Sequence, residues 1–231
     1  MREASPLLVG AVIVAAGASS RMRGVDKIFA PLAGRPLIAW TLDAFQECDA
    51  VHRIAMVLSQ GNLERGHALL ARGCWPKVEA LLAGGRRRQD SVRAGLEALE
   101  GCRWAVIHDG ARPFVTGELI EEGLKEARIS GAAVAAVRAK DTVKAVDSKG
   151  VVLKTLPRED LWLVQTPQVF DYELIRQAHR LTGEHVTDDA MLVERQGRQV
   201  RVYPGSYENI KVTTSEDLAV AEFLAVRRKG P

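Results

Sequence analysis

The sequence predicts an α/β protein: a mainly parallel sheet with helices on both faces and an inserted β-hairpin arm. Three observations carry that expectation. Short continuous apolar runs, the first at Ala11 to Val14, have the length and uniformity of strands buried on both faces. Between them lie stretches with apolar residues three and four apart, the mark of helices packed on such a sheet. Late in the chain one segment switches to period-two alternation around a glycine turn, which reads as a hairpin.

The first strand, Ala11 to Val14, breaks at once into small residues, Ala15 to Ser20, whose backbone can approach a ligand closely. Arg21 and Lys27 follow. Exposed backbone N–H groups beside fixed positive charges make an anion site, and a triphosphate is the anion best matched to a loop with several donors. The loop lacks the Gly-Lys-Ser/Thr ending of a P-loop, and Gly17 belongs to no Gly-x-Gly-x-x-Gly fingerprint, so neither of those sites is indicated. Gly34-Arg35-Pro36 predicts a turn with proline at the first helical position, and Leu37, Ile38, Leu42 and Phe45 then recur at helical spacing. Arg53 to Ser59 is a second buried strand. A helix through Leu63, Leu69 and Leu70 leads to a third strand near Val78 to Leu82. Gly84-Gly85 open a basic loop, Arg86 to Gln89, and Asp90 or Ser91 is placed to cap a helix bearing Val92, Leu96 and Leu99 on one face.

Trp104 to His108 is the next strand, ending in Asp109-Gly-Ala-Arg-Pro113. In a parallel sheet ligands lie at the carboxyl ends of strands, where an Asp can hold Mg²⁺ while nucleotide phosphates supply the other ligands. Asp109 is therefore the favoured metal-side carboxylate, with a turn or cap aspartate as the plain alternative. Thr116 starts an amphipathic helix through Leu119, Ile120 and Leu124, and Ala132 to Val137 follows as a buried strand. From Asp141 to Leu163 the text alternates on both sides of an Asp147-Ser-Lys-Gly150 turn. Such an arm has few neighbours of its own, so it either clasps another subunit or folds back on its own domain. Gln165-Thr-Pro-Gln168 returns the chain to the core. A helix from Tyr172 to Leu181, a helix start at Thr187-Asp188-Asp189, strands at Val200 to Tyr203 and Asn209 to Thr213, and a last helix capped by Thr214-Ser-Glu-Asp217 complete a single Rossmann-like domain over 1–231, with the arm at about 139–164.

Composition narrows the function. A net charge of +3 with 26% charged residues is only mildly basic, which suits small anionic ligands better than a nucleic acid. Arg86 to Arg88 lack interleaved aromatics and read as a solvated or phosphate-facing turn. Cys48, Cys74 and Cys102 have no metal or redox spacing and are expected as reduced thiols. No histidine pair has a zinc-site spacing, and no Gly-x-Ser-x-Gly elbow is present. With no signal sequence and no run near the ~20 apolar residues of a membrane span, the expectation is a cytoplasmic protein without membrane or nucleic-acid partners.

Over almost its whole length, Val12 to about Leu224, the chain resembles the 2-C-methyl-D-erythritol 4-phosphate cytidylyltransferases of the non-mevalonate isoprenoid pathway. The likeness rests on Ala15-Ala-Gly with Arg21-Met and Lys27, Gly84-Gly with Arg88-Gln-Asp-Ser-Val92, His108-Asp-Gly-Ala-Arg-Pro113, Asp141-Thr142, Gln165-Thr-Pro-Gln168, Thr187-Asp-Asp189 and Asn209-Ile-Lys-Val212. The first motif alone is shared by many sugar nucleotidyltransferases; the series is far more specific. The resemblance implies a nucleotidyltransferase fold and attack by the substrate's phosphate oxygen on the α-phosphate of CTP, with Mg²⁺ or another divalent cation bridging the phosphates. It implies Arg21 and Lys27 as the catalytic cations, and Ala15, Ala16, Gly17, Gly85 and Ser91 as the nucleotide site. Thr142, Arg158, Thr187, Lys211, Asp109 and Arg112 match the positions that hold the sugar phosphate. The arm reaches the neighbouring subunit in that family, which implies a homodimer with shared sites. The chain departs at Ile28, where the family often has Gln, and in the dense Arg86-Arg-Arg88 cluster. A ribitol 5-phosphate cytidylyltransferase is the nearest alternative, since it too acts on a polyol phosphate.

Overall fold

The computed structural model describes residues 7–17, 26–181 and 186–229. Its central strands are β1 (Val9–Ala15), β4 (Arg53–Leu58), β5 (Val78–Ala83), β6 (Trp104–Asp109), β7 (Ala132–Arg138), β10 (Trp162–Asp171) and β11 (Arg201–Pro204). They form one sheet in the order β11-β7-β10-β6-β1-β4-β5. Pairing is parallel except at β10, which runs antiparallel to both β6 and β7. Helices cover both faces: α1 (Leu37–Glu47), α2 (Leu63–Arg72) and α4 (Gly117–Ser130) on one, α3 (Arg88–Ala98), α5 (Tyr172–Leu181) and α6 (Ala190–Glu194) on the other. Every residue of β1 is consequently buried, Ala11 and Ile13 packing into one layer and Val12 and Val14 into the opposite one. The continuous apolar run in the sequence is the signature of that double burial. A last helix, α7 (Ser215–Lys229), packs Ala221, Leu224 and Ala225 against Leu32, Leu37 and Phe114.

Local expectations are met where the signal is local. Thr116 Oγ1 accepts from Leu119 N at 3.3 Å and starts α4, and Gly131 ends it at φ +85°. Thr214 and Asp217 cap α7 reciprocally, Thr214 N donating to Asp217 Oδ2 and Asp217 N to Thr214 Oγ1. Three expectations need correction, and one central strand carried no strand signal. Pro36 precedes α1 as its N-cap instead of opening it, because Arg35–Pro36 (β3) pairs with Pro31–Leu32 (β2) in a two-residue hairpin. Helix α3 starts at Arg88, a turn earlier than a cap at Asp90 or Ser91 allows; Asp90 sits inside its first turn and accepts from Arg87 N. Asn209 to Thr213 is not a strand: Asn209 is buried with its amide bonded to Gln165 and the Thr166 carbonyl, and the segment crosses the strand ends with no ladder, Asn209 N donating to Ser206 O and Val212 N to Ala111 O. The antiparallel β10 went unread, since its buried Gln165, Thr166 and Gln168 break the apolar pattern of a central strand.

The alternating segment forms a separate two-stranded sheet, β8 (Val143–Val146) with β9 (Val152–Leu156). Its turn is closed by Asp147 Oδ1, which accepts from Lys149 N and Val151 N, with Gly150 at φ +80°. Strand pairing in the arm ends at Leu156, and Leu163 already belongs to β10. Val146, Val151, Val152 and Leu153 on this arm are all more than half exposed.

Candidate active site

Strand β1 has β4 on one side and β6 on the other, and the chain leaves β1 toward β4 but leaves β6 toward β7, in opposite directions along the sheet, which leaves a crevice at the carboxyl ends of β1 and β6. Gly110 N donates to Val14 O at 2.8 Å and ties the two strand ends together there. The crevice holds two adjoining cavities. The first, about 240 Å³, lies under Ala15, Ala16 and Gly17 and is bounded by Lys27, Gly85 and Ser91. The second, about 310 Å³, lies between Arg112, Thr166, Gln168 and Thr187. Arg88, Asp109 and Lys211 line both and form the wall between them.

On the first side the loop after β5 must fit tightly. A Cβ on Gly84 would stand 2.3 Å from Ala16 Cβ and 2.6 Å from Ser91 Oγ, so only glycine lets the two loops close. Ser91 is buried, its Oγ accepting from Gly85 N at 3.2 Å, which fixes the loop's curvature. Lys27 is pinned from both sides: Asp26 Oδ1 accepts from Ile28 N, and Ile28 O accepts from Ile38 N. Ile28 is 1% exposed and packs in the apolar layer beside α1, so an apolar residue at that position serves as an anchor for the lysine.

Asp109 sits in the shared wall with Lys211 Nζ at 2.8 Å, Arg88 Nε at 3.3 Å and Arg112 Nε at 3.7 Å. Burial opposes its charge, but Arg88, Lys211 and Arg112 together outweigh that and hold the carboxyl well below the usual carboxylate range. Beneath it His108 is fully buried against Phe45. Its Nε2 lies 3.1 Å from the Arg112 carbonyl, which can only accept, so the proton is on Nε2 and Nδ1 accepts from the Thr166 hydroxyl, also at 3.1 Å. Thr166 Oγ1 in turn accepts from Asp109 N at 3.0 Å. Thr166 thus spends its only proton inward and faces the second cavity as an acceptor.

Burial pushes the His108 imidazole down to about 4. The unfolded chain binds a proton there between that value and about 6.5 while the native protein does not, so stability falls as pH drops through this window, by roughly 3 kcal/mol in all. The losses from Asp109 and Asp189, whose native carboxyls titrate low, begin only near pH 5 and fall mostly below this window. Urea denaturation at pH 7, 5.5 and 4 measures the effect; equal stability at all three would mean that the imidazole is not held neutral.

The site gathers most of the residues the sequence singled out. Ala15, Ala16, Gly17, Lys27, Gly85 and Ser91 line the first cavity, Arg112 and Thr187 the second, and Asp109 and Lys211 both. Arg21 lies outside the described residues. Thr142 and Arg158 line neither cavity; both are exposed, and Arg158 Nη1 donates to the Lys140 carbonyl at 3.0 Å. The arginine cluster is not uniformly solvated. Arg87 pairs with Asp90, whereas Arg88 is drawn between Asp109 and Asp189. The Gln165-Thr-Pro-Gln168 motif, which carried no role beyond resemblance, proves to be the clamp of the second cavity. Gln165 Nε2 donates to Ser206 O and its Oε1 accepts from Asn209 Nδ2, setting the segment that carries Lys211; Gln168 donates to Asp188 and accepts from Ala190 N, setting Thr187. A run of amides and a hydroxyl inside a strand flanked by apolar residues was the signal available.

A crevice with two adjoining cavities, a wall carrying more positive than negative charge, and candidate bases already engaged suits the passage of a phosphorus group between two anionic substrates. That is the chemistry of a nucleotidyltransferase. The family model of the 2-C-methyl-D-erythritol 4-phosphate cytidylyltransferases (IspD) matches residues 9–227, and the chain belongs to that family. It is 52% identical over 216 residues to the enzyme of that name from Dehalococcoides mccartyi, covering 94% of this chain and 95% of the relative. It is 47% identical over 219 residues to the bifunctional enzyme IspD/IspF of Desulforudis audaxviator, of which it covers 56%. Among solved structures it superposes on 4-diphosphocytidyl-2C-methyl-D-erythritol synthase from Anaerococcus prevotii with a TM-score of 0.84 at 30% identity, covering 95% of this chain and 96% of that one. The cytidylyltransferase from Thermus thermophilus gives 0.75 at 34% identity, with 93% and 98% coverage.

Proposed function

We propose that the protein transfers CMP from CTP to 2-C-methyl-D-erythritol 4-phosphate, giving 4-diphosphocytidyl-2-C-methyl-D-erythritol and pyrophosphate. The observation that carries this reading is the wall of Arg88, Asp109 and Lys211 between two cavities, with a glycine-rich double loop on one side and a polar, partly neutralised pocket on the other. A phosphate oxygen of the polyol phosphate attacks the α-phosphorus, a new P–O bond forms, and the bond to the β-phosphate oxygen breaks. The attacking group is already an anion, so no general base is required; alignment and charge neutralisation are.

In this reading the Ala15–Gly17 backbone, Gly85 and Ser91 take the nucleotide, and Lys27 with Arg21 neutralises charge at the α-phosphorus. Asp109, Arg112, Thr187 and Lys211 receive the sugar phosphate, where Thr166, as an acceptor, is suited to a polyol hydroxyl instead of a phosphate oxygen. Among the described residues no three His, Cys, Asp or Glu converge as a metal cage, and Asp109 already answers to three cations. That donor set fits Mg²⁺ carried by the triphosphate with at most one carboxylate from the protein. When bound, the metal supplies charge neutralisation on the phosphates and organises the leaving pyrophosphate. No described helix is long and apolar enough to cross a membrane.

The arm supports a homodimer. Val152 and Leu153 are 54% and 67% exposed on a two-stranded sheet that stands apart from the central one, and Arg158 and Thr142 flank it away from both cavities of their own chain. A second copy clasped by the arm would bury the apolar residues and bring those two polar ones to a partner's second cavity. Sedimentation should give a dimer at assay concentration, and a fully active monomer would remove the shared-site idea.

Pyrophosphate release from CTP tests the whole reading. Turnover is expected with methylerythritol phosphate and to be at least ~10-fold lower in kcat/KM with ribitol 5-phosphate, about the discrimination available from a differently placed methyl and hydroxyl. Preference for ribitol phosphate would reassign the substrate while leaving the chemistry.

A further inference from the structure

The charged wall continues behind the cavities into the core. The Arg88 guanidinium bridges two carboxylates, its Nε donating to Asp109 Oδ1 at 3.3 Å and its Nη1 to Asp189 Oδ2. Asp189 is wholly buried, and its Oδ1 accepts from Nε2 of buried His179 at 3.1 Å. Lys211 Nζ meets the remaining oxygen of Asp109. The charges alternate along one line, Asp189, Arg88, Asp109, Lys211, with the inner end wholly buried and the cavity end open: the Asp189 side chain is 0% exposed and that of Lys211 39%.

Stability alone is a weak reason for this line. Withdrawing two carboxylates and a guanidinium from water costs several kcal/mol, and apolar residues of equal volume often serve a core as well or better. Apolar residues cannot, however, hold an ammonium at a fixed point. The two oxygens of Asp109 answer to different cations, so the plane of its carboxylate is set by Arg88 on one side and Lys211 on the other. Without Arg88 that carboxylate is left to Lys211 and Arg112, which lie on the Oδ2 side, and is free to turn and draw the ammonium inward.

We propose that Arg88 is a positioning residue for the transfer: anchored from behind by Asp189, it holds Asp109 in the orientation that presents Lys211 to the polyol phosphate. This rests on the assignment of Lys211 to that phosphate. Arg88 acts through Asp109 and need not touch either substrate, although it lies beside both.

Arg88→Lys keeps the charge but replaces the planar fork with a point charge that cannot bridge both carboxylates. It should lower kcat/KM for methylerythritol phosphate by ~30-fold or more, the scale of a misplacement near 1 Å, and leave the Kd of Mg-CTP, measured by calorimetry without the second substrate, within ~3-fold. In a Lys211→Ala background the same substitution should cost little more, because its effect passes through Lys211. Losses that multiply would overturn the proposal, as would an equal loss of CTP affinity or a lowered melting temperature with unchanged kinetics. If Arg88→Lys does not fold, the near-isosteric Asp189→Asn carries the test: a smaller loss confined to the polyol phosphate supports the anchor, and unchanged kinetics refute it. Lys211→Ala alone tests the underlying assignment, since an unaltered KM for methylerythritol phosphate would displace Lys211 from that phosphate whatever Arg88 does.

Discussion

Replacing Lys27 by alanine should lower kcat by ~100-fold or more at saturating CTP, the loss expected when one preorganised cation is removed from a transition state that concentrates negative charge. The fold should survive. The lysine side chain is only half-buried, while its backbone is held by the Asp26 bond to Ile28 N, the Ile28 bond to Ile38 N and the burial of Ile28, none of which the substitution touches. Because those bonds fix the lysine before substrate arrives, little reorganisation is left for the moment of reaction, and the charge is worth more there than on a mobile loop. Single-turnover kinetics with the far-UV spectrum as a folding control would measure it. Normal turnover in a folded Lys27→Ala protein would take the lysine out of the catalytic machinery.

Arg158→Ala should strike the polyol phosphate selectively. A guanidinium fork matches a phosphate dianion, fixing the attacking oxygen as well as binding it, so kcat/KM for methylerythritol phosphate should fall by ~100-fold or more while CTP affinity changes by less than ~1 kcal/mol. Lysine in its place should rescue little. Within one chain Arg158 is exposed and bonded to the Lys140 carbonyl, far enough from both cavities to line neither, so the effect is expected through a partner subunit. Mixing supplies the sharper measurement. Lys27→Ala and Arg158→Ala chains, each nearly inactive alone, should regain activity in a heterodimer, where one of the two sites has both residues intact. No regain on mixing, with exchange of chains shown by mass, would mean that Arg158 serves its own protomer; an equal loss of CTP affinity would move it to the nucleotide site.

Much of the first cavity was legible from the chain because its parts are neighbours in sequence. A buried strand ending in Ala15-Ala-Gly17, with Lys27 ten residues on, and a Gly84-Gly85 loop ending in Ser91 are local patterns whose chemistry follows from backbone donors and nearby charge. The strands and helices were legible for the same reason, since burial on both faces writes itself as apolar runs and burial on one face as a stripe. The second cavity was named only through resemblance, by Asp109, Arg112, Thr187 and Lys211, and what joins those residues was hidden. Its wall joins Arg88, Asp109 and Lys211, backed by Asp189, and its clamp joins Gln165 and Gln168 to Asn209 and Asp188 across β10, so each contact spans a stretch of chain that no periodicity measures.

The sequence by itself determined the α/β class, the position of the glycine-rich loops and the family, because these depend on short-range pattern and on residue identity along the whole length. Which arginine of Arg86-Arg-Arg88 turns inward, that Asn209 to Thr213 crosses the strand ends instead of pairing as a strand, and that the Thr166 hydroxyl is an acceptor were decided only by tertiary structure. Each of those outcomes depends on where a buried polar group finds its partner. Burying such a group unpaired costs more than any local propensity supplies, so the partner, however distant in the chain, settles the local conformation.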